Sequence, residues 1–401
     1  MENYYDFFLI ISKKCCIFAS KKRFMLNRKI KQLIDRYLSR GKAIIITGPR
    51  QVGKTTLLRM LMNDTEKKAL FLNCDEPDVR RMLSNATSTQ LRADTAGAEL
   101  ILIDEAQRVQ NIGLTLKLMV DNLSDKQIVV TGSSALELSN SINEPLTGRK
   151  FEYNMFPFSA EELIDHYGKD IERRLLERRV VYGSYPEVVN LEGDEREVLA
   201  NLAGSYLYKD IFAFQDVRKP EIIEQLLQAL ALQLGSEVSF NELGNLLGLN
   251  SQTVRRYVDL LEKTFVVFHL RSFSRNLRNE LKKSSKIYFW DNGVRNAILG
   301  DFKPVGLRQD IGALWENYLI TERLKHNSYN QFYGKSYFWR TQQQQEIDYL
   351  EDIDGVMHTY EFKWSSTKYP KLTETFAKQY PEHTYTVVNT DNYQDFVSGK
   401  I

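Results

Sequence analysis

The sequence predicts an α/β protein of several domains built around a parallel sheet, and three observations carry that reading. The apolar run Ala43 to Ile46 leads into Gly48-Pro-Arg-Gln-Val-Gly-Lys54-Thr55, which fits the pattern G-x-x-x-x-G-K-[ST], and then into an apolar helical stretch. Two further apolar runs, Leu100 to Ile103 and Gln127 to Thr131, end in Asp104-Glu105 and Gly132-Ser133-Ser134. Beyond about residue 156 the periodicity turns helical, and short strand-like segments return toward the C-terminus. With 401 residues and 43% hydrophobic content the chain can bury sizeable cores, in roughly two or three domains.

Residues 1–24 read as an N-terminal extension. Tyr4 to Ile11 and Cys16 to Ala19 are apolar, but Lys13-Lys14 divides them into pieces too short to span a membrane. A secretory signal carries its charges ahead of the apolar stretch, not within it, so no targeting segment is expected. Met25 precedes an amphipathic helix that leads into the first strand. A strand, a glycine-containing loop and a helix in that order aim backbone N–H groups and a helix N-terminus at a phosphate chain. The expected nucleotide-binding set is therefore Gly48, Pro49, Arg50, Gln51, Val52, Gly53, Lys54, Thr55 and Thr56. Lys54 would reach the β- and γ-phosphates and Thr55 would ligate Mg²⁺. At the edge of the next strand, Asp104 would hold Mg²⁺ through water and Glu105 would polarise the attacking water. Ser133 is either a sensor of the γ-phosphate or part of a plain Gly/Ser turn.

Five segments, Gly48 to Thr55, Ile103 to Gln107, Thr131 to Ser134, Gly148-Arg149 and Pro157-Phe158-Ser159, resemble a prokaryotic branch of the AAA+ ATPases. In that branch an AAA_14-like P-loop module is joined to a C-terminal DUF4143-type region, and the resemblance extends to about residue 365. It implies an ATPase domain over residues 25–165, ATP and Mg²⁺ as cofactors, and a homo-oligomer in which an arginine finger completes a neighbour's site. Arg149 is the candidate finger, and a surface arginine in a turn is the alternative.

Charge and cysteine content narrow the partners. Lys plus Arg number 54 against 52 for Asp plus Glu, so any contact with nucleic acid must come from local patches. Cys15, Cys16 and Cys74 form neither a disulfide framework nor metal-ligand spacing, which fits a reducing cytoplasm.

Residues 166–235 read as a helical connector, interrupted by a turn at Tyr182-Gly-Ser-Tyr-Pro186. Residues 236–300 resemble a winged helix-turn-helix: a helix at Phe240 to Leu247, a turn at Gly248 to Asn250, a second helix N-capped by Ser251, and a strand at Phe265 to Leu270. Gln252, Arg255 and Arg256 lie on the exposed side of the second helix. Arg271, Arg275, Arg278, Lys282, Lys283 and Lys286, opposed by Glu280, form a basic strip suited to phosphates. The alternative is a winged fold used for domain packing beside a solvated loop.

Residues 301–401 resemble the restriction-endonuclease-like α/β fold. The resemblance would make Asp348 and Glu361 metal ligands, Lys363 the group stabilising the attacking hydroxide, and Glu316 an auxiliary acid on a preceding helix. No proline precedes Asp348, a departure from the strictest form of that motif, and a solvated face or a binding-only fold is the alternative. The whole reads as an ATPase that hydrolyses ATP with Mg²⁺ and acts on DNA, with metal-dependent cleavage as an added activity. The alternative is a nucleotide-gated adaptor that binds a protein partner.

Overall fold

A computed structural model of the chain describes residues 26–38, 40–132, 146–207, 220–274, 285–365, 367 and 369–401. After helix α1 (Lys29–Tyr37), strand β1 (Ala43–Thr47) is buried along its whole length. Its isoleucines suit a strand covered on both faces, as parallel sheets demand. The loop that follows feeds helix α2 (Lys54–Asn63), and β2 (Ala69–Asn73), β3 (Leu100–Asp104), β4 (Gln127–Gly132) and β5 (Lys150–Asn154) complete a five-stranded sheet of order β2-β3-β4-β1-β5. Every pairing in it is parallel. The α/β, parallel-sheet expectation for this part is met. β4 separates the loop strand from the acidic strand, so Thr131, paired with Ile46, stands between them at the carboxyl edge.

The chain leaves β5 at that same edge and enters helix α3 (Ala160–Tyr167) through a capping box, in which Ser159 and Glu162 exchange side-chain and backbone hydrogen bonds. Short helices then run from Lys169 to Asn201, and a longer one spans Pro220–Leu232. Gly183 turns between two of them: its φ is +72°, and a Cβ there would sit 2.0 Å from the Asp291 carboxylate.

Helices α4 (Phe240–Leu247) and α5 (Ser251–Lys263) meet at Gly248, whose φ of +66° ends the first of them. The N-cap of α5 is Asn250 and not Ser251: Asn250 is extended, and its side chain accepts the Thr253 N–H at 2.7 Å. The following strand, β6 (Val267–Ser272), starts two residues later than the apolar run, because Phe265 takes a φ of +59° and closes the helix end first.

β6 and β7 (Ser285–Phe289) form an antiparallel hairpin that does not stand apart. Beyond helices α6 (Asn292–Leu299) and α7 (Ile311–Tyr329), β6 pairs in parallel with β8 (Lys335–Arg340). With β9 (Glu346–Ile353), β10 (Val356–Phe362) and β11 (His383–Val388) this gives one six-stranded sheet of order β11-β10-β9-β8-β6-β7. The boundary expected at residues 300 and 301 therefore runs through a shared sheet. α7 lies against it through Trp315, Leu319 and Ile320, in one core with Tyr288, Phe289 and Tyr349. Arg323 anchors the helix by a two-pronged pair with Glu351 at 3.0 and 2.7 Å and a bond to the Phe396 carbonyl at 2.6 Å.

Candidate functional sites

The phosphate loop is shaped by two glycines with different tasks. At Gly48 a Cβ would meet the Met155 carbonyl oxygen at 2.1 Å, and Gly53 has a φ of +96°. Lys54 opens α2, is 5% exposed, and donates to the loop carbonyls of Gly48 at 2.8 Å and Pro49 at 2.7 Å. A phosphate reaching this ammonium exchanges with those carbonyls. Thr55 Oγ1 donates to Asp104 Oδ2 at 2.7 Å, which brings the two predicted Mg²⁺ groups together across forty-nine residues of sequence. Both are hard oxygen donors, so the pair fits Mg²⁺.

Asp104 Oδ1 accepts the Thr131 hydroxyl at 2.5 Å, and Thr131 Oγ1 in turn accepts the Glu105 N–H at 3.3 Å. Glu105 sits at a φ of +52°, a costly conformation for a residue with a side chain, and its Oε2 accepts from Gln107 Nε2 at 2.5 Å. Thr131 and Gln107 stood in the sequence motifs without a role, yet they aim the two acids. A hydroxyl closing a buried strand next to the acidic strand is the signal that finds Thr131. Cys74 lies nearby, but burial, reinforced by Asp104, pushes its thiol up to about 12, which leaves it an unreactive core residue.

Ser133 lies outside the described residues. Arg149 is partly exposed and donates to Asp121 Oδ1 at 2.6 Å. Lys150 pairs with Ala43, at the start of β1, so Arg149 sits at the sheet edge opposite its own phosphate loop.

On the face formed by α4 and α5, Gln252 and Arg255 line an open cavity of about 300 Å³ with Ser239, Phe240, Asn241 and Ser251. Arg255 lies over the Phe240 ring at 5.2 Å and Arg256 over Tyr257 at 5.8 Å. Arg271 is exposed and donates to His269. Arg275, Arg278, Glu280, Lys282 and Lys283 lie outside the described residues. Lys286 does not belong to a solvated basic strip. It is 2% exposed, and its ammonium bonds to Glu316 at 2.9 Å and Glu346 at 2.5 Å, because alternation along β7 turns it inward. Burial works against its charge, but the two carboxylates outweigh it and raise its pKa.

This places Lys286 in the carboxylate cluster of the C-terminal sheet. Glu316, Glu346 and Asp348 each bring an oxygen within 4.8 Å of the others. Glu346 carries no chemical role in the sequence reading, whereas Glu361 is outside this trio and pairs with Lys363 at 2.7 Å. A register shift shapes the site: Tyr337 pairs with Leu350 and Trp339 with Ile347, so Asp348 and Tyr349 both oppose Phe338. Asp348 Oδ2 accepts the Phe362 N–H at 2.7 Å. Burial, then Glu316, then Glu361 push the Asp348 carboxyl well above the usual range. Tyr288 donates to Glu316 at 2.5 Å, and Arg340 approaches Glu346 at 3.4 Å. Three carboxylates form a donor set that fits a hard divalent cation, with Lys286 neutralising one side of it.

Three segments of the chain match known families. Residues 40–164 match the AAA domain (AAA_14), 173–304 a domain of unknown function (DUF8612), and 311–401 a domain of unknown function (DUF4143). An uncharacterized protein of Mycobacterium tuberculosis is 28% identical over 343 residues, covering 83% of this chain and 73% of the relative. An uncharacterized protein of Methanocaldococcus jannaschii is 27% identical over 321 residues, covering 69% and 67%. Among solved structures, a STAND protein with a tetratricopeptide repeat sensor from Pyrococcus horikoshii is 14% identical, with a TM-score of 0.29 over 75% of this chain and 45% of that one. The chain thus spans less than half of that protein's length. A chain in a structure of Drosophila ORC bound to AT-rich DNA and Cdc6 is 11% identical, with a TM-score of 0.26 over 67% of this chain and 89% of that one. Among the described residues no helix is long and apolar enough to cross a membrane.

Proposed function

Because the chain carries an AAA domain joined to a DUF4143 region, we propose that it is a P-loop ATPase that hydrolyses ATP with Mg²⁺ and couples the cycle to DNA. One observation carries the ATPase reading: Thr55 and Asp104 meet at 2.7 Å beside the loop that holds Lys54. Thr55 directly and Asp104 through water would hold Mg²⁺, which would supply neutralisation of the phosphate charge. The loop N–H groups take the phosphates, Lys54 turns from its two carbonyl partners to phosphate oxygens, and Glu105 orients the attacking water. Arg149 faces away from its own loop, which supports a role as the finger of a neighbouring subunit in a homo-oligomer.

The DNA reading is supported by the exposed Gln252, Arg255 and Arg256 on the second helix of the helix-turn-helix, with the β6–β7 hairpin in the position of a wing. The adaptor reading gains from Lys286, which is withdrawn from the basic strip into an ion pair. Gel retardation of duplex DNA with and without ATP, at two salt concentrations, tests the two. Binding that weakens with salt and falls at least about fivefold in an Arg255→Ala, Arg256→Ala variant supports DNA. No retardation at low salt by a chain that turns over ATP favours the adaptor.

Glu316, Glu346 and Asp348, with Glu361 and Lys363 beside them, are proposed to hold a divalent cation in a nuclease-like site. Calorimetric titration of Mn²⁺ into the full-length Lys54→Ala chain is expected to show a site that Asp348→Asn loses. A plasmid-nicking assay then separates a cleaving site from one kept for recognition. Identical Mn²⁺ heats in both chains would remove the metal from this cluster.

A further inference from the structure

We infer that Arg28 is a positioning residue of the phosphate loop, and that the C-terminal helix α7 sets it through Tyr329; the inference rests on the ATP reading above. The Arg28 side chain, 5% exposed, is engaged on every side. Nη1 donates to the Val52 carbonyl at 2.7 Å, Nη2 to the Phe156 carbonyl at 2.6 Å, and Nε to Glu162 Oε1 at 3.0 Å. The guanidinium lies over the Phe158 ring at 4.9 Å, and Phe156, whose carbonyl it bonds, donates its N–H to the Tyr329 hydroxyl at 3.1 Å, so Tyr329 fixes the residue that Arg28 grips.

Val52 immediately precedes Gly53, and in a planar trans peptide the C=O and N–H point opposite ways. By holding the Val52 oxygen outward, Arg28 turns the Gly53 N–H inward, where the loop takes phosphate. Gly53, at a φ of +96°, permits that peptide orientation. Glu162 is itself fixed: Oε1 also accepts the Lys29 N–H at 2.8 Å, and Oε2 accepts the Ser159 N–H at 2.9 Å. Tyr329 is the last residue of α7. The loop's geometry thus depends on α1, the stretch from Met155 to Ser159, α3 and α7, and a residue far along the sequence completes the nucleotide site.

Calorimetric titration of ADP into the full-length chain tests this. Lysine keeps a charge facing Glu162 but cannot reach several acceptors in one plane, so Arg28→Lys should bind ADP about tenfold more weakly. Tyr329→Phe, the milder change, should weaken it about threefold. Glu351→Gln loosens α7 elsewhere and should leave ADP affinity within about twofold, a result that a purely structural effect would not give. If Arg28→Lys and Tyr329→Phe both bind like the wild type while Lys54→Ala binds nothing, the inference fails and the ATP reading stands. Equal weakening in Glu351→Gln also overturns it, since affinity would then simply follow stability. A wild-type chain that binds no ADP brings down the ATP reading itself.

Discussion

Replacing Lys54 with alanine should abolish tight nucleotide binding, whereas Glu105→Gln should bind ATP normally and lose about 10²–10⁴ in kcat. The difference follows from geometry. Lys54 projects into the loop and, in the proposed function, would be a ground-state ligand of phosphate, while Glu105 is held by Thr131 and Gln107 at the edge of β3, where the glutamine amide keeps the shape but not the charge. Equilibrium binding of a fluorescent ATP analogue beside steady-state phosphate release reads both effects. Parallel loss of affinity in the two variants would strip Glu105 of its assigned role. The same pair of assays examines Arg149: mixing Arg149→Ala with Lys54→Ala chains should recover part of the turnover if the finger acts across subunits. No recovery in mixed oligomers of verified composition counts against that.

Glu351→Leu should destabilise the chain by about 3–5 kcal/mol, because it leaves the Arg323 guanidinium buried without its partner. Glu351 is fully buried, and Asn327 and Tyr349 also donate to it, so several hydrogen bonds go at once. A second replacement, Arg323→Met, should restore much of the loss by removing the stranded charge. Urea denaturation followed by tryptophan fluorescence measures both. A loss below about 1 kcal/mol would mean that α7 does not depend on this pair. Burial would raise the Glu351 carboxyl, but Arg323 outweighs it and holds it below the usual 4.5. A depressed carboxyl stabilises the fold fully above its unfolded value, so this contribution is intact above about pH 4.5 and is lost as acid takes the pH below it.

The first, parallel sheet was legible because its three central strands, β1, β3 and β4, are buried throughout and lead into residues of distinctive chemistry. Among the described residues the four strands that the sequence reading does not anticipate, β2, β5, β7 and β11, are the edge strands of the two sheets. An edge strand has one neighbour and a partly wetted face, and Lys150 to Asn154 or His383 to Val388 show the resulting mixed pattern. The carboxylate cluster was only partly visible for a related reason. Asp348 stood out beside Glu361, but Glu346 joins it through proximity on the same strand, and Lys286 through alternation on an edge strand that the apolar pattern did not reveal. Arg28 gave no local signal, since its acceptors lie 24, 128 and 134 residues away.

The pairing of β6 with β8 bears on how the chain tolerates being cut. A fragment beginning at residue 301 would strip the hairpin away and leave the β8 backbone unpaired at Tyr337 and Phe338, beside Trp339. A bare aromatic edge of this kind recruits strands from other copies, so such a fragment is prone to aggregate however well its remaining core packs. A cut placed ahead of α4, before residue 236, keeps that edge covered.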